Sequence, residues 1–252
     1  MKALILAAGY ATRLYPYTKN FPKPLLELNQ KPIIEYLTEK LEKLPGLTEI
    51  LVVTNGRFCP FFERWGKNLK TSKKIRIVND LTESSEDRLG AIGDMNFVFE
   101  KFGFNDDYLV IGGDNFFSEP LSKFVKSARK NSRSITIGVC DIKKISLARN
   151  YGVVRLDKNS RITEFWEKPS RPKSSKVAMC LYYFPASRVG FIKEYLSDPD
   201  NPSDAAGAYI GWLAKKKIVK AVVFKNYWVD IGNIRTYEKV IKITKTKGVR
   251  GK

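Results

Sequence analysis

Short hydrophobic runs alternate with longer stretches of helical periodicity along the first half of the chain. The runs are rich in Ile, Val and Leu, which favours strands, whereas the longer stretches repeat apolar residues three and four positions apart, which favours helices. Strands are predicted at residues 3–6, 49–53, 75–78, 108–111 and 134–139, and helices at 32–44, 61–69, 89–102 and 121–130. This alternation predicts an α/β fold with an open, mostly parallel sheet and helices on both faces.

The pattern changes after Asn150, where β-like segments follow one another directly. They lie at 152–156, 162–167 and 177–184, and later helices are predicted at 187–196, 205–215 and 234–244. No Gly- and Ser-rich linker and no internal repeat divides the chain, so we predict a single domain over residues 1–252. Ligands of such sheets bind beyond the carboxyl ends of the strands, and we expect the functional site there.

The amino-acid composition excludes several kinds of catalytic and metal site. The 252 residues include no histidine, which excludes catalytic triads with a histidine base and histidine-ligated zinc. Three widely spaced cysteines form no disulfide framework and no zinc cluster, which favours a cytoplasmic protein. No apolar run approaches the roughly 20 residues of a membrane helix, so no membrane partner is expected.

The formal net charge of +19 has two interpretations. A basic surface can bind nucleic acid, or it can attract small polyanions such as nucleotides. The lysines are spread over many predicted helix faces, with the densest basic stretch at residues 239–252, and no zinc-finger or RNP-like motif accompanies them. Charge alone is a weak indicator, so nucleic acid is not the expected substrate.

Two N-terminal segments suggest phosphate binding. In residues 4–16 a hydrophobic strand runs into a turn of small residues and then reaches Arg13. Small residues let main-chain N–H groups approach phosphate oxygens, and a guanidinium can hold them with several donors. Lys23 follows between two prolines that fix its backbone. Each segment alone fits an ordinary turn with an exposed basic residue equally well.

Two aspartates stand at predicted strand ends. Asp114 follows the run Leu-Val-Ile-Gly-Gly, and Asp230 follows Tyr-Trp-Val. Carboxylates in such positions suit Mg²⁺, which takes a few protein oxygens and keeps other ligands. The alternative for Asp114 is an Asx-turn or a helix cap. Glu167 and Lys168 precede a proline and could serve a polar substrate, although a surface charge pair is the commoner case.

Taken together, five segments in order resemble the sugar-1-phosphate nucleotidyltransferases. They are the loop and lysine of residues 6–26, Gly-Gly-Asp-Asn at 112–115, Tyr-Gly-Val-Val at 151–154, Trp-Glu-Lys-Pro at 166–169 and Trp-Val-Asp-Ile-Gly at 228–232. The resemblance covers nearly the whole chain up to Gly232. It implies a Rossmann-like, mixed sheet of the nucleotide-diphospho-sugar transferase type. It divides the chain into a nucleotide half near 1–115, an acceptor half near 116–231, and a C-terminal helix and basic tail at 232–252.

The resemblance also implies a reaction and roles. A nucleoside monophosphate would pass from a nucleoside triphosphate to a sugar 1-phosphate, with release of pyrophosphate. Arg13, Lys23, Asp114 and Lys168 would be catalytic, with Mg²⁺ as cofactor held by Asp114 and Asp230. The implied nucleotide-binding residues are Leu6, Ala8, Gly9, Thr12, Arg13, Asn79 and Gly113. The implied acceptor-binding residues are Gly152, Glu167, Lys168, Tyr182 and Trp228.

Several positions depart from the family pattern. Ala11 stands where a second glycine is usual, which predicts a locally reshaped loop because alanine resists positive φ. Residues 79–92 are longer than the family's base-reading segment and carry Arg88 in place of a glycine. Met179 and Cys180 replace the pair of small residues that lines the family's sugar pocket, and the usual acidic pair before the helix predicted at 205–215 is missing. The nucleobase and the sugar therefore stay open.

Two alternatives remain at this point. The acceptor could be another phosphorylated alcohol, such as inositol or choline phosphate, with a cytidylyl group transferred. Alternatively, the chain could be a non-catalytic module that binds nucleotides or nucleic acid. The joint presence of Arg13, Lys23, Asp114, Lys168 and Asp230 argues against loss of catalysis. A homo-oligomer is compatible with the sequence, which contains no readable self-complementary patch.

Overall fold

The computed structural model describes residues 1–216 and 218–246. The strands are β1 (Lys2–Leu6), β2 (Glu49–Thr54), β3 (Lys74–Asn79), β4 (Tyr108–Gly112), β5 (Asn115–Phe117), β6 (Ile135–Asp141), β7 (Gly152–Leu156), β8 (Ile162–Glu167), β9 (Lys176–Phe184), β10 (Val219–Phe224) and β11 (Trp228–Asp230). The helices are α1 (Ile33–Glu42), α2 (Cys59–Asn68), α3 (Gly90–Phe102), α4 (Leu121–Lys130), α5 (Ala186–Val189), α6 (Phe191–Leu196), α7 (Ala206–Lys215) and α8 (Ile234–Thr246).

Within the described ranges, one nine-stranded sheet spans both halves of the chain. Its main path is β10-β6-β9-β4-β1-β2-β3, and β7 and β8 attach beside β9. β1 pairs in parallel with β2 and β4, whereas β9 runs antiparallel between β4 and β6. The predicted mixed, mostly parallel sheet is therefore confirmed.

Both faces of the sheet are covered, as the continuous hydrophobic strands predict. Side chains alternate along β1, so Ala3 and Ile5 pack into one core and Leu4 packs into the other. The first core lies against α1, α2 and α4, and the second lies against α3, α6 and α7. A smaller cluster joins α8 to the N-terminal loop through Leu14, Tyr237 and Val240.

The structure differs from the sequence pattern at several elements. The helix predicted at 187–196 is two short helices, α5 and α6, that meet at Gly190. The strands β5 and β11 have three residues each and pair with each other; the strand end at Asp230 was predicted, but β5 and this pairing were not. Strand β10 was not predicted, and residues 247–252 of the predicted basic tail lie outside the described residues. None of the helices in the described residues is long and apolar enough to cross a membrane.

Candidate functional site

The carboxyl ends of β1, β2, β3 and β4 lie at one edge of the sheet, because these strands are parallel neighbours. At this edge the Gly113 N–H donates to the Leu6 carbonyl oxygen over 2.9 Å. A Cβ on Gly113 would lie only 2.9 Å from that oxygen, so a larger residue would force the two chains apart. The close contact fixes the segment that follows β4 against the loop that follows β1.

The loop at residues 7–14, which we call the glycine loop, is held by two buried polar side chains. Asn55 donates from Nδ2 to the Ala8 carbonyl oxygen over 2.8 Å, and Thr18 donates from Oγ1 to the Ala11 carbonyl oxygen over 2.8 Å. Both side chains are fully buried. Neither was identified from the sequence, although Asn55 follows a strand end in the same way as Asp114.

Ala11 adopts φ 49° and ψ 41°, the left-handed conformation that glycine takes without strain. The alanine thus takes the positive φ that it was expected to resist. The next residues, Thr12–Leu14, form a single 3-10 turn that exposes Thr12 and Arg13. A Cβ on Gly9 would meet no described atom within 4 Å, so no protein contact accounts for this glycine.

Lys23 and Asp114 form the central ion pair of the site. The Lys23 Nζ lies 2.5 Å from Asp114 Oδ2, and the two side chains are 13% and 28% exposed. Burial alone would raise the pKa of Asp114, but the Lys23 ammonium outweighs burial and holds the pKa below its ordinary value. The sequence interval between the two residues spans 91 positions, and only the fold brings them together.

Asp230 lies close enough to Asp114 for the charge of Asp114 to act on its carboxyl group. Pairing of β11 with β5 places Asp230 opposite Asn115, and the Ile231 N–H donates to the Asp114 carbonyl oxygen over 3.2 Å. Burial and the Asp114 charge raise the pKa of Asp230 to about 7, whereas the Lys23 and Arg13 charges lower it. The site thus contains two closely spaced carboxyl groups with a cationic side chain beside them.

This pair fits a divalent cation. Asp230 Oδ1 is buried and has no hydrogen-bond partner in the protein, so one carboxylate oxygen still lacks a partner. Across residues 1–216 and 218–246, no group of three or more His, Cys, Asp or Glu side chains could hold a metal ion. Mg²⁺ is commonly bound by one or two carboxylates together with substrate phosphates, which matches a two-carboxylate site.

Trp228, in the acceptor half of the chain, holds the loop that carries Asp114. Its Nε1 donates to Asn115 Oδ1 over 2.7 Å, and its ring packs edge-on against Tyr151 at 5.4 Å between centroids. Asn115 is itself buried and donates to the carbonyl oxygens of Gly112 and Cys180. Trp228 therefore fixes the loop that carries Asp114 instead of projecting freely into a cleft.

Glu167 and Lys168 stand at the end of β8, where the Lys168 N–H donates to the Tyr151 carbonyl oxygen over 3.1 Å. Gly152 pairs with Glu167, and a Cβ on Gly152 would lie 2.5 Å from the Phe165 ring. Lys168 Nζ lies 3.7 Å from Glu167 Oε1, with side-chain exposures of 61% and 29%. Burial raises the pKa of Glu167, and the Lys168 charge lowers it.

Tyr182 and Cys180 lie deeper than the sequence suggests. Tyr182 is 3% exposed and packs in the core beside Phe184, so its ring is part of the core cluster. Cys180 takes φ 50°, again a conformation that favours glycine. Its Sγ would lie 3.2 Å from a Cβ on Gly112, at the strand end that precedes Asp114. Burial raises the pKa of the Cys180 thiol to about 12.

The β3–α3 loop, residues 80–89, follows Asn79. Asn79 Oδ1 accepts from the Leu81 N–H over 2.8 Å, so the side chain of this predicted nucleotide-binding residue forms an Asx turn. Asp80 Oδ1 accepts from both the N–H and the hydroxyl of Thr82, and Asp94 of α3 lies beside it. Asp80 and Asp94 are 4% and 6% exposed. Burial and the Asp80 charge raise the pKa of Asp94 to about 8.

Because the carboxyl groups of Asp80 and Asp94 are buried together, we expect the stability of the fold to depend on pH. The Asp94 pKa is higher in the folded state than its ordinary value of 3.8, so the folded chain keeps a proton that the unfolded chain releases. The contribution of Asp94 to the free energy of unfolding should therefore fall as pH rises from about 4 to about 8, with a limiting slope of about 1.4 kcal/mol per pH unit. Urea unfolding at four pH values between 5 and 8 measures it.

Asp94→Asn should flatten this fall, because the amide carries no titratable proton and can still donate to Asp80. The exposed Asp200→Asn substitution provides the control and should keep the slope of the unsubstituted chain. An identical slope in Asp94→Asn and in Asp200→Asn would contradict the assignment. The negative charges of Asp80 and Asp204 both contribute to the raised pKa of Asp94.

Comparisons with known proteins establish the family and the fold of the chain. The chain has the nucleotide-diphospho-sugar transferase fold, and the model of the family described as Nucleotidyl transferase matches residues 2–247. The chain therefore belongs to the nucleotidyl transferase family. The resemblance seen in the sequence motifs is confirmed.

Among the relatives, a bifunctional sugar-1-phosphate nucleotidylyltransferase/acetyltransferase from Sulfurisphaera tokodaii is 30% identical over 92% of this chain and 52% of its own length. A UTP–glucose-1-phosphate uridylyltransferase from Synechocystis is 30% identical over 96% of this chain and 63% of its own length. A glucose-1-phosphate thymidylyltransferase from Neisseria meningitidis is 27% identical over 98% of this chain and 83% of its own length. The chain spans about half the length of the first curated relatives it matches.

Two solved structures are similar over nearly the whole chain. A Bacillus anthracis protein described as a glucose-1-phosphate thymidylyltransferase, in complex with sucrose, has a TM-score of 0.82 and 24% identity over 97% of this chain and 95% of its own. A UDP-glucose pyrophosphorylase in complex with UDP-glucose has a TM-score of 0.81 and 21% identity over 98% of each chain. At these identities the likeness establishes the fold.

Proposed function

We propose that the chain transfers a nucleoside monophosphate from a nucleoside triphosphate to a sugar 1-phosphate, making an NDP-sugar and pyrophosphate. One observation carries the proposal: Lys23, Asp114 and Asp230 meet at the strand ends, with Arg13 near them. Such a cluster has the charges needed to hold a polyphosphate. The names of the relatives support the same reaction class.

In this proposal the glycine loop binds the triphosphate. Its backbone N–H groups can approach phosphate oxygens where Gly9 leaves room, and the exposed Arg13 guanidinium can hold the β- and γ-phosphates. Lys23 places its ammonium at the α-phosphate, and Asp114 keeps it there through the ion pair. Leu6, Ala8, Thr12, Asn79 and Gly113 line the strand ends where the nucleoside would lie.

The acceptor lies on the other side of the Asp114–Asp230 pair. Lys168 would bind its phosphate, and Glu167, with Gly152, would face the sugar hydroxyls. Trp228 would support this side of the site by holding the Asp114 loop, and Tyr182 would support it from the core. An acceptor phosphate oxygen forms the new bond to the α-phosphorus, and the bond from that phosphorus to the bridging oxygen breaks, so pyrophosphate leaves with the electron pair. The attacking oxygen is already anionic, so positioning and charge neutralisation supply most of the catalysis.

Asp114 and Asp230 are the residues that would hold Mg²⁺. The ion, when bound, neutralises phosphate charge and supports the developing charge on the leaving pyrophosphate. The protein contributes the two carboxylates and the ammonium of Lys23. We place the protein in the cytoplasm, which the three free cysteines of the described chain support.

An assay of pyrophosphate release tests the function and the choice of substrate. ATP, GTP, CTP, UTP and dTTP are each combined with glucose 1-phosphate, mannose 1-phosphate, N-acetylglucosamine 1-phosphate, inositol phosphate and choline phosphate. We expect turnover with at least one sugar 1-phosphate in the presence of Mg²⁺. Turnover with inositol or choline phosphate alone would replace the proposed acceptor class, and no turnover with any pair would contradict the function.

Lys168→Ala should raise the apparent KM for the acceptor phosphate about ten- to a hundredfold, because a charge-assisted hydrogen bond contributes about 1.5–3 kcal/mol. Nucleotide KM should stay nearly unchanged, since Lys168 is in the acceptor half. Steady-state kinetics with each substrate varied in turn measures both. Lys173→Ala, a nearby lysine whose Nζ lies 5.8 Å from the Trp166 ring, is the matched control. If Lys168→Ala changes the KM values of both substrates equally and only slightly, Lys168 does not bind the acceptor phosphate.

A further inference from the structure

The β3–α3 loop is tied to the loop between α6 and α7, residues 197–205, by an ion pair that no sequence pattern indicates. Arg88 donates from Nε to Asp204 Oδ1 over 3.2 Å and from Nη2 to Asp204 Oδ2 over 3.0 Å. Its third nitrogen, Nη1, donates to the Ser85 carbonyl oxygen within its own loop. The planar guanidinium therefore joins two loops that are 116 residues apart in sequence.

Backbone contacts next to this pair bring the two loops into close contact. The Ile92 N–H donates to the Ser203 carbonyl oxygen over 2.9 Å. Gly90 has φ 77°, and a Cβ there would lie 2.6 Å from the Asp204 Cα, so only glycine fits. The beginning of α3 therefore packs directly on the segment that precedes α7.

The α6–α7 loop continues into the acceptor side of the site. The first turn of α7 contains Gly207, where a Cβ would collide with the Glu167 carboxylate. The Lys168 charge also reaches Asp204 and lowers the pKa of its carboxyl, although the hydrogen bond from Arg88 is the larger cause. One contact path thus runs from the β3–α3 loop through Arg88 and Asp204 to Glu167.

We propose that Arg88 is a positioning residue, which fixes the β3–α3 loop against the acceptor half through Asp204 so that the loop can bind the nucleoside triphosphate. The inference rests on the proposed function, because it assigns the nucleotide to this end of the sheet. Arg88 acts through Asp204 and does not itself touch the nucleotide. A glycine, which the sequence resemblance gives as the usual residue at this position, has no side chain and could not make this link.

The pair is half exposed, with side-chain exposures of 48% for Arg88 and 62% for Asp204. Exposed ion pairs contribute little to global stability. A substitution should therefore leave the melting temperature nearly unchanged and act on the order of the loop. This separates a positioning role from a structural one, which would lower stability and all kinetic constants together.

The experiment compares Arg88→Ala, Asp204→Ala, the double variant and the exchanged pair Arg88→Asp/Asp204→Arg. Each is titrated by calorimetry with ATP, GTP, CTP, UTP and dTTP in Mg²⁺ without an acceptor, so that no turnover occurs. For the triphosphate that binds, we expect both single variants to weaken affinity about five- to twentyfold by equal factors. The double variant should be no weaker, and the exchanged pair should recover to within about threefold of the original chain.

Kinetics of the same variants should show a raised nucleotide KM with kcat within about twofold. Arg76→Ala provides the control, because Arg76 pairs with Glu49 over 2.8 Å on strand β3 but away from its carboxyl end, and it should bind like the original chain. If Arg88→Ala weakens the affinity for the triphosphate and Asp204→Ala leaves it unchanged, the proposal is wrong, because Arg88 would then contact the nucleotide directly. Unchanged affinity in both would also overturn it. If the original chain binds none of the five triphosphates, the proposed function fails and this inference fails with it.

Discussion

Asp114→Asn is expected to lower kcat by roughly a hundred- to a thousandfold while the chain stays folded. A ligand to a catalytic cation provides several kcal/mol of charge stabilisation in the transition state, and each 1.36 kcal/mol is a factor of ten in rate. Asparagine has nearly the same shape and keeps an oxygen that can accept from Lys23, whose Nζ lies 2.5 Å away. Pyrophosphate release measures the rate, and thermal unfolding checks the fold.

The matched control is Asp107→Asn, which makes the same substitution next to the opposite end of β4. Asp107 accepts from the Tyr183 hydroxyl over 2.6 Å and from the Ala186 N–H over 2.9 Å, so its loss should affect stability and not kcat. Chelation of divalent cations with EDTA should abolish turnover in the original chain, and added Mg²⁺ should restore it. Full activity of Asp114→Asn, or full activity in EDTA, would show that the carboxylate pair is not a metal site.

Lys23→Ala is expected to lower kcat about ten- to a hundredfold with a smaller effect on nucleotide KM. Positive charge at the α-phosphorus is most useful in the transition state, so its loss affects the chemical step more than ground-state binding. The lost charge-assisted hydrogen bond corresponds to about 1.5–3 kcal/mol. Steady-state kinetics with saturating acceptor and varied nucleotide gives both constants.

Lys31→Ala controls for the loss of a lysine in the same region, because Lys31 pairs with Glu39 rather than with Asp114. It should keep kcat and KM. Lys23→Ala also leaves Asp114 without its counter-ion, so Lys23→Arg is included to retain the charge. A decrease in kcat for Lys23→Ala that the arginine variant partly reverses supports the role. A change confined to nucleotide KM would place Lys23 in ground-state binding only.

The local sequence was sufficient for most of the sheet and helices. Strands β1, β2 and β4 are hydrophobic runs and β3 alternates polar with apolar residues, and both patterns are recognisable without knowledge of their partners. The order of the strands within the sheet could not be predicted from these local patterns. The antiparallel β9 enters between β4 and β6, and this insertion depends on contacts between distant segments.

The residue types of the site were also determined by the sequence. A chain without histidine leaves carboxylates, Lys, Arg and a recruited cation for the chemistry, and the order of the motifs identified the family. Arg13, Lys23, Asp114, Lys168 and Asp230 were predicted as site residues from the sequence alone. Their assigned roles remain predictions that the variants above test.

Only the tertiary structure determined how these residues meet. Lys23 pairs with Asp114, and Asp230 reaches the pair because the three-residue strands β5 and β11 hydrogen-bond to each other. Strands this short carry no periodicity, so local sequence could not predict their pairing. The contacts of Asn55 and Arg88 could not be predicted for a related reason. Their partners are backbone oxygens or side chains brought near by folding, and a hydrogen bond between distant segments leaves no pattern in either one.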